Sequence, residues 1–170
     1  MGIISFFKEA GEKLFGSKDT EAAAQQAKAA PDNAALQAQA AQANEVAAKA
    51  IADYIGANQL TADGLSVAFD GASSAVTVSG VAADQATKEK ILLCCGNVTG
   101  VGQVNDLLTV SEPADESQYH TVVRGDTLSA IAKKFYGNAN AYPKIFEANK
   151  PMLTHPDKIY PGQLLRIPPA

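Results

Sequence analysis

The chain has 170 residues, of which 46% are hydrophobic, and this length suits one ordinary domain or two small ones with packed cores. Lys and Arg outnumber Asp and Glu by 7 to 3 in residues 119–170, whereas the acids outnumber the bases by 15 to 7 in residues 1–118. The tail is too weakly basic and too poor in exposed aromatic residues for nucleic-acid binding, and the opposed charges favour attraction between the two parts.

The first residues of the sequence do not predict a targeting signal. Lys8 interrupts the first apolar run too early for a secretory signal, and Phe6 stands where a myristoylation signal requires Ser or Thr. No stretch is long and apolar enough to cross a bilayer, so we expect a cytoplasmic protein without a membrane span. Cys94 and Cys95 are neighbours in an apolar run, where ordinary disulfide geometry cannot be met, and we expect buried free thiols.

Helical patterns dominate the first third of the chain. Residues 1–18 are predicted to form an N-terminal helical segment, because apolar residues recur there at spacings of three and four. Residues 19–44 form an Ala/Gln-rich helical insertion, with Pro31-Asp32-Asn33 marking a helix start. The insertion has high helix propensity but little apolar bulk, so it is interpreted as a spacer or an extra contact surface. The apolar positions of the first segment are Ile3, Phe6, Phe7, Ala10 and Leu14.

The middle of the chain reads as a small α/β unit. Residues 65–69 and 76–81 alternate as in a β-hairpin, a helix begins at Asp84 and ends at Gly96, and residues 101–110 form a further strand. The order is helix, strand, strand, helix, strand. This order, with Val-Ser-Gly-Val before the second helix, resembles the BON domain over residues 45–110.

Residues 111–118 are acidic, contain a proline and are predicted to be a linker. After them the pattern is strand, helix, helix, strand. The opening Val-x-x-Gly-Asp-Thr-Leu-Ser-x-Ile-Ala, the central Ile-x-x-x-Asn and the closing Ile-x-Pro-Gly-Gln-x-Leu-x-Ile-Pro closely resemble a LysM domain over residues 119–170. The fold class is therefore α+β, with BON (αββαβ) and LysM (βααβ) domains behind an Ala-rich helical segment.

The LysM resemblance implies a shallow groove for the N-acetylglucosamine backbone of peptidoglycan or chitin. The groove would be built from two loops, and turn and capping chemistry is an equally weighted explanation for the same residues. The residues that match the groove are Gly125, Asp126, Thr127, Leu128, Ile159, Tyr160 and Pro161.

Nearly the whole chain resembles the cytoplasmic potassium-binding proteins of bacteria, which join one BON domain to one C-terminal LysM domain. Runs such as Gly-Asn-Val-Thr-Gly-Val and the N-terminal Met-Gly-x-x-x-Phe-x-Lys-x-Ala-Gly-Glu-Lys-Leu carry this resemblance. It implies a bound K⁺ ion, which is best matched by neutral carbonyl oxygens at helix ends and glycine-rich bends. The expected ligands are the main-chain oxygens of Phe7, Ala10, Gly96, Val98 and Val101.

From spacing alone, Gly96 is a helix C-cap and Gly100 a turn residue, and the family resemblance favours the ion site instead. The resulting hypothesis is a monomeric, non-enzymatic K⁺ sensor in which the ion fixes the N-terminal segment onto the BON loop and compacts the BON and LysM domains. The alternatives are a peptidoglycan-binding adaptor and an oligomerising scaffold built on the Ala-rich helix. Catalysis lacks a motif, because neither His120 nor His155 stands in one.

Overall fold

The computed structural model describes residues 2–170, and over this range helices and strands make up two small units. The first contains the four-stranded sheet and the longer helices, and the second contains a two-stranded sheet and two short helices. The elements are β1 (Gly2–Ser5), α1 (Ser17–Ala29), α2 (Ala34–Ala57), β2 (Ala62–Asp70), β3 (Ala75–Asp84), α3 (Gln85–Gly96), β4 (Gln103–Glu112), β5 (Gln118–Thr121), α4 (Leu128–Tyr136), a 3₁₀ turn (Ala139–Ala141), α5 (Tyr142–Ala148) and β6 (Leu164–Ile167).

The predicted BON order is confirmed. Helix α2 is the first helix of the BON unit, and β2 and β3 form its antiparallel hairpin. Helix α3 connects β3 to β4, which pairs parallel to β3. Asp84 caps α3 as expected, accepting a hydrogen bond from the Thr87 N–H at 2.7 Å. The fully buried core includes Ile51 and Ile55 of α2. Cys94 and Cys95 lie in this core as free thiols, as predicted, and burial raises the pKa of Cys94 to about 12.

Residues 2–16 are not helical, so the prediction of an N-terminal helical segment over residues 1–18 was wrong for them, and Met1 lies outside the described residues. Gly2–Ser5 instead pairs antiparallel with β4 as an edge strand, with Ile4 half-buried and Ile3 70% exposed. Apolar residues at helical spacing also fit a short strand followed by a bend. The chain bends here instead of continuing as a helix, because Gly11 takes φ +113°, which an α-helix does not allow. The first helix begins only at Ser17.

The Ala/Gln-rich stretch forms a hairpin of two helices. Asn33 caps α2 through its side chain, which confirms the predicted helix start at residues 31–33. Helix α2 then continues without a break from the Ala-rich stretch into the BON core, so it crosses residue 44, the predicted end of the insertion. The hairpin packs on small side chains, of which Ala23, Ala27 and Ala40 are buried.

The C-terminal unit has the predicted βααβ order. Strands β5 and β6 pair antiparallel, and α4 and α5 cover them around a core that includes Ile131 and Leu165. Thr127 caps α4 by accepting a hydrogen bond from the Ala130 N–H at 3.1 Å. Between β4, which ends at Glu112, and β5, residues 113–117 carry no regular structure.

Candidate functional site

Four of the five residues predicted to bind the ion are the ends of two hydrogen-bonded turns. Ala10 N–H donates to the Phe7 carbonyl at 3.0 Å, and Val101 N–H donates to the Val98 carbonyl at 3.1 Å. The first turn belongs to the N-terminal segment and the second follows α3, and we call residues 7–10 and 98–101 the paired turns. Two chain segments far apart in sequence are thus each closed by a hydrogen bond between a residue and the third one after it.

The paired turns are joined by direct hydrogen bonds between their segments. Glu12 and Val98 also form a parallel β-bridge. The structure therefore brings the N-terminal segment onto the loop after α3, as the sequence hypothesis requires. The joining bonds run from Gly100 N to Lys8 O (2.7 Å), from Glu12 N to Asn97 O (2.9 Å), from Thr99 N to Glu12 O (2.8 Å) and from Thr99 Oγ1 to Gly11 O (2.9 Å).

Two glycines permit this close approach. A Cβ atom at Gly11 would lie 2.3 Å from the Asn97 carbonyl oxygen, and one at Gly96 would lie 2.0 Å from the Phe6 ring. Gly96 is the last residue of α3 and Asn97 is its C-cap, so the prediction of Gly96 as C-cap was wrong. Its role is to admit the Phe6 ring, and sequence spacing gives no signal for that contact.

The main-chain oxygens at this junction include several without a protein donor. Within residues 2–170, no N–H or O–H group donates to the carbonyls of Ala10, Gly96 or Val101, and Gly96 at the helix end has no intrahelical partner. Phe7 and Val98 each accept one hydrogen bond, which leaves a second lone pair on each carbonyl. The donor chemistry fits an ion that prefers neutral carbonyl oxygens.

The two paired turns differ in how far their side chains are exposed. Val98 and Val101 are fully buried, whereas the Phe7 side chain is 58% exposed. Tyr160 lies nearby, and burial together with the Glu12 carboxylate raises its pKa to about 12, so the phenol stays neutral. Among residues 2–170, no three His, Cys, Asp or Glu side chains lie close enough to hold a metal ion together.

The first loop of the predicted LysM groove has a clear structural role. Gly125 turns the chain at φ +92°, and Leu128 is buried in the LysM core. Asp126 Oδ2 accepts from Val123 N–H at 3.0 Å and contacts His120 Nε2 at 2.8 Å, and these bonds lower the pKa of Asp126. Thr127 is the helix cap described above. Turn and capping bonds therefore account for the residues of this loop. These bonds do not test glycan binding.

The second predicted groove loop faces the N-terminal segment. Ile159 packs on the LysM core, Tyr160 is half-buried and Pro161 is exposed. The next residue, Gly162, comes so close to Phe7 and Ala10 that a Cβ there would lie 2.9 Å from Ala10 Cβ. The predicted groove residues and the predicted ion ligands thus adjoin across the domain boundary.

The most informative residue that sequence reasoning missed is Asn97. Its side chain donates to the Leu164 carbonyl at 2.9 Å and accepts from the Leu164 N–H at 3.0 Å. A second cross-domain contact joins Glu89 of α3 to Arg166 of β6. The opposed charges of the two parts were the sequence signal for attraction, but no local pattern marks Asn97.

Comparison with known proteins gives two domain matches. The family model for the BON domain matches residues 43–112, and that for the LysM domain matches residues 120–168.

Within residues 2–170, none of the helices combines the length and apolar character needed to cross a bilayer.

One curated relative is similar over its whole length. Potassium binding protein Kbp of Escherichia coli O6:H1 is 45% identical over 168 residues, which covers 99% of this chain and 99% of the relative. Two further matches are short: an uncharacterized protein of Deinococcus radiodurans, 49% identical over 29% of this chain and 19% of its own length, and an esterase of Mycobacterium tuberculosis H37Rv, 50% identical over 28% of this chain and 10% of its own length. The full-length match decides the assignment, and the chain belongs to the family of potassium binding protein Kbp, with one BON and one LysM domain.

Proposed function

We propose that this chain binds K⁺ at the paired turns, through main-chain oxygens of Phe7, Ala10, Gly96, Val98 and Val101. The observation that carries the proposal is the junction itself, where two interlocked turns present carbonyls without protein donors. The full-length similarity to a protein named for potassium binding supports the choice of ion.

The ligand chemistry favours K⁺ over divalent ions. Ca²⁺ and Mg²⁺ are held by carboxylates with strong charge, whereas K⁺ is weakly hydrated and is matched by several neutral carbonyl oxygens. The main-chain hydrogen bonds between the paired turns hold these oxygens without side-chain freedom, so little ordering would be needed on binding. The net charge of −4 adds a general attraction for cations.

We further propose that the protein is a cytoplasmic K⁺ sensor. The LysM domain bonds to Asn97, which precedes the second turn, and its Gly162 lies against the first turn, so an ion that steadies the turns would favour the docked arrangement. The expected result of K⁺ binding is a more compact and more stable chain. This function needs no catalytic step, no nucleic acid and no second copy of the chain.

The first test is isothermal titration of the potassium-free protein with KCl, with a matched NaCl titration as the control for ionic strength. Saturable heat with KCl alone supports the proposal. Absence of heat with both salts contradicts it, as does equal heat with both, because a non-selective site is not a K⁺ sensor. X-ray scattering of the same samples tests compaction, which should follow the calorimetric saturation curve.

The second candidate function is binding of peptidoglycan glycan by the LysM domain. The match to the LysM family model over residues 120–168 favours it, and its predicted groove residues lie in the loops at 125–128 and 159–161. Pull-down on purified sacculi tests this function directly. Retention of the protein, lost on adding soluble N-acetylglucosamine oligomers, would support it, and its absence from the pellet would exclude it.

A further inference from the structure

The free edge of β6 is closed by two asparagine side chains, one from each domain. Within residues 2–170, β6 has β5 as its strand partner, and on the other side its main chain bonds to amide groups. Asn149, from the LysM domain, accepts from Arg166 N–H and donates to Arg166 O, both at 2.8 Å. Asn97, from the BON domain, makes the same pair of bonds with Leu164. Asn97 therefore stands where a neighbouring strand residue of the LysM sheet would stand.

The main chain of Asn97 belongs to the junction of the paired turns. Its N–H donates to the Leu93 carbonyl at 2.9 Å and closes α3, and its carbonyl accepts from Glu12 N–H at 2.9 Å. Gly96 precedes it and Val98 follows it in the chain. One residue thus contacts the helix end, the N-terminal segment and the LysM domain.

We propose that Asn97 is the positioning residue that couples ion binding at the paired turns to docking of the LysM domain. The inference rests on the proposed K⁺ function. The Gly96 carbonyl belongs to the peptide group that ends at the Asn97 nitrogen, so turning that carbonyl turns the main chain from which the Asn97 side chain projects. Conversely, the Asn97 N–H bond to Leu93 and the side-chain bonds to Leu164 together restrict how that peptide group can turn.

A second contact shows that the LysM domain also rests on the first of the paired turns, residues 7–10. Gly162 comes two residues before Leu164, and a Cβ at Gly162 would lie 3.0 Å from Phe7 Cδ1 and 2.9 Å from Ala10 Cβ. The first turn and Asn97, which directly precedes the second turn, therefore meet the same LysM segment. If docking and ion binding stabilise one arrangement, each strengthens the other by the same factor.

The test compares the full-length wild type with N97A by KCl calorimetry and X-ray scattering. Loss of the two cross-domain hydrogen bonds should raise the K⁺ dissociation constant about tenfold. The radius of gyration of N97A should stay at its ion-free value when the site is saturated. The matched control is N105A, because Asn105 donates to Thr77 Oγ1 at 3.1 Å within the BON sheet. N105A should bind and compact like the wild type.

A further variant separates coupling from folding. N97D has almost the same size, retains an oxygen for the Leu164 N–H and loses the donor to the Leu164 carbonyl, so its compaction should lie between wild type and N97A. If circular dichroism shows that N97A does not fold, N97D decides the question. Compaction of either variant equal to wild type overturns the coupling alone, whereas a wild type that binds no K⁺ overturns the proposed function and the coupling with it.

Discussion

Glu89 of α3 accepts a hydrogen bond from the Arg166 guanidinium of β6 across the boundary between the BON and LysM domains. The two side chains are only 2% and 10% exposed. Glu89 Oε1 also accepts from Gln85 Nε2 at 2.9 Å and from Ser117 N–H at 2.8 Å, so helix, linker and strand share one carboxylate. The ion pair joins the acidic part of the chain to its basic tail, as the charge distribution predicted.

Replacing Glu89 by Gln should lower the free energy of unfolding by about 3 kcal/mol, because the Arg166 charge would stay buried without its partner. Urea unfolding followed by circular dichroism measures the change. The matched control is E147Q, since Glu147 pairs with Lys150 at 2.7 Å on the surface, and its loss should cost less than about 1 kcal/mol. Equal stability of E89Q and E147Q would contradict a role for the cross-domain pair.

Acid should weaken the same contact. Burial acts to raise the pKa of Glu89, but the bonds from Arg166, Gln85 and Ser117 outweigh it and hold the pKa below its ordinary value of 4.5. A lowered pKa gives stability that is fully present above pH 4.5 and is lost as pH falls through the folded-state value. Urea unfolding from pH 6 down to pH 2 should show a steeper loss for wild type than for the double variant E89M/R166M. Parallel pH profiles of the two proteins would argue against this assignment.

Sequence patterns predicted the elements whose signals are local. The LysM order, the BON hairpin and the caps at Asp84 and Thr127 follow from residue types that act within one turn of the chain. The N-terminal strand was not predicted, because four residues are too few to distinguish periods of two and three and a half, and only pairing with β4 decides between them.

The candidate site was likewise predicted from the sequence only in part. The family resemblance located the five ion-ligand candidates, and the structure places Phe7, Ala10, Val98 and Val101 in the paired turns. The contact of Asn97 with Leu164 spans 67 positions in the chain, and an asparagine after a helix is ordinarily explained as a cap. Side-chain bonds to the main chain of another domain leave no periodic trace, so only the folded structure shows them.

Gly96 should be intolerant of any side chain. In G96A the new Cβ would lie 2.0 Å from the Phe6 ring, so the ring must move, at a cost of about 2 kcal/mol in unfolding free energy and with weaker K⁺ binding. The control is G56A, because Gly56 also lies at a helix end but has no atom within 4 Å of an added Cβ. That variant should gain about 0.5 kcal/mol from helix propensity.

Thermal unfolding and KCl calorimetry of the two variants measure both effects. The double variant F6A/G96A removes the collision but also the ring, so it should not regain wild-type stability although the added Cβ then has room. A G96A protein as stable as G56A would show that Phe6 does not need the space at Gly96.

The helix α1 should open before the rest of the protein. Its buried side chains are Thr20, Ala23, Ala24 and Ala27, which bury little apolar area, whereas α3 buries Ile91 and two leucines in the main core. The 3.0 Å ion pair between Lys8 and Glu21 connects α1 to the N-terminal segment. It is half-exposed and contributes little to the stability of the helix.

Native-state hydrogen exchange should therefore show α1 amides exchanging at least about tenfold faster than those of α3, by local opening without global unfolding. A27G provides the matched test, because Gly lowers helix stability by about 1 kcal/mol and should accelerate exchange in α1 while α3 stays unchanged. If α1 and α3 exchanged together and A27G accelerated both, the Ala-rich hairpin would belong to the same cooperative unit as the BON core. Its small side chains would then contribute more than their buried area implies.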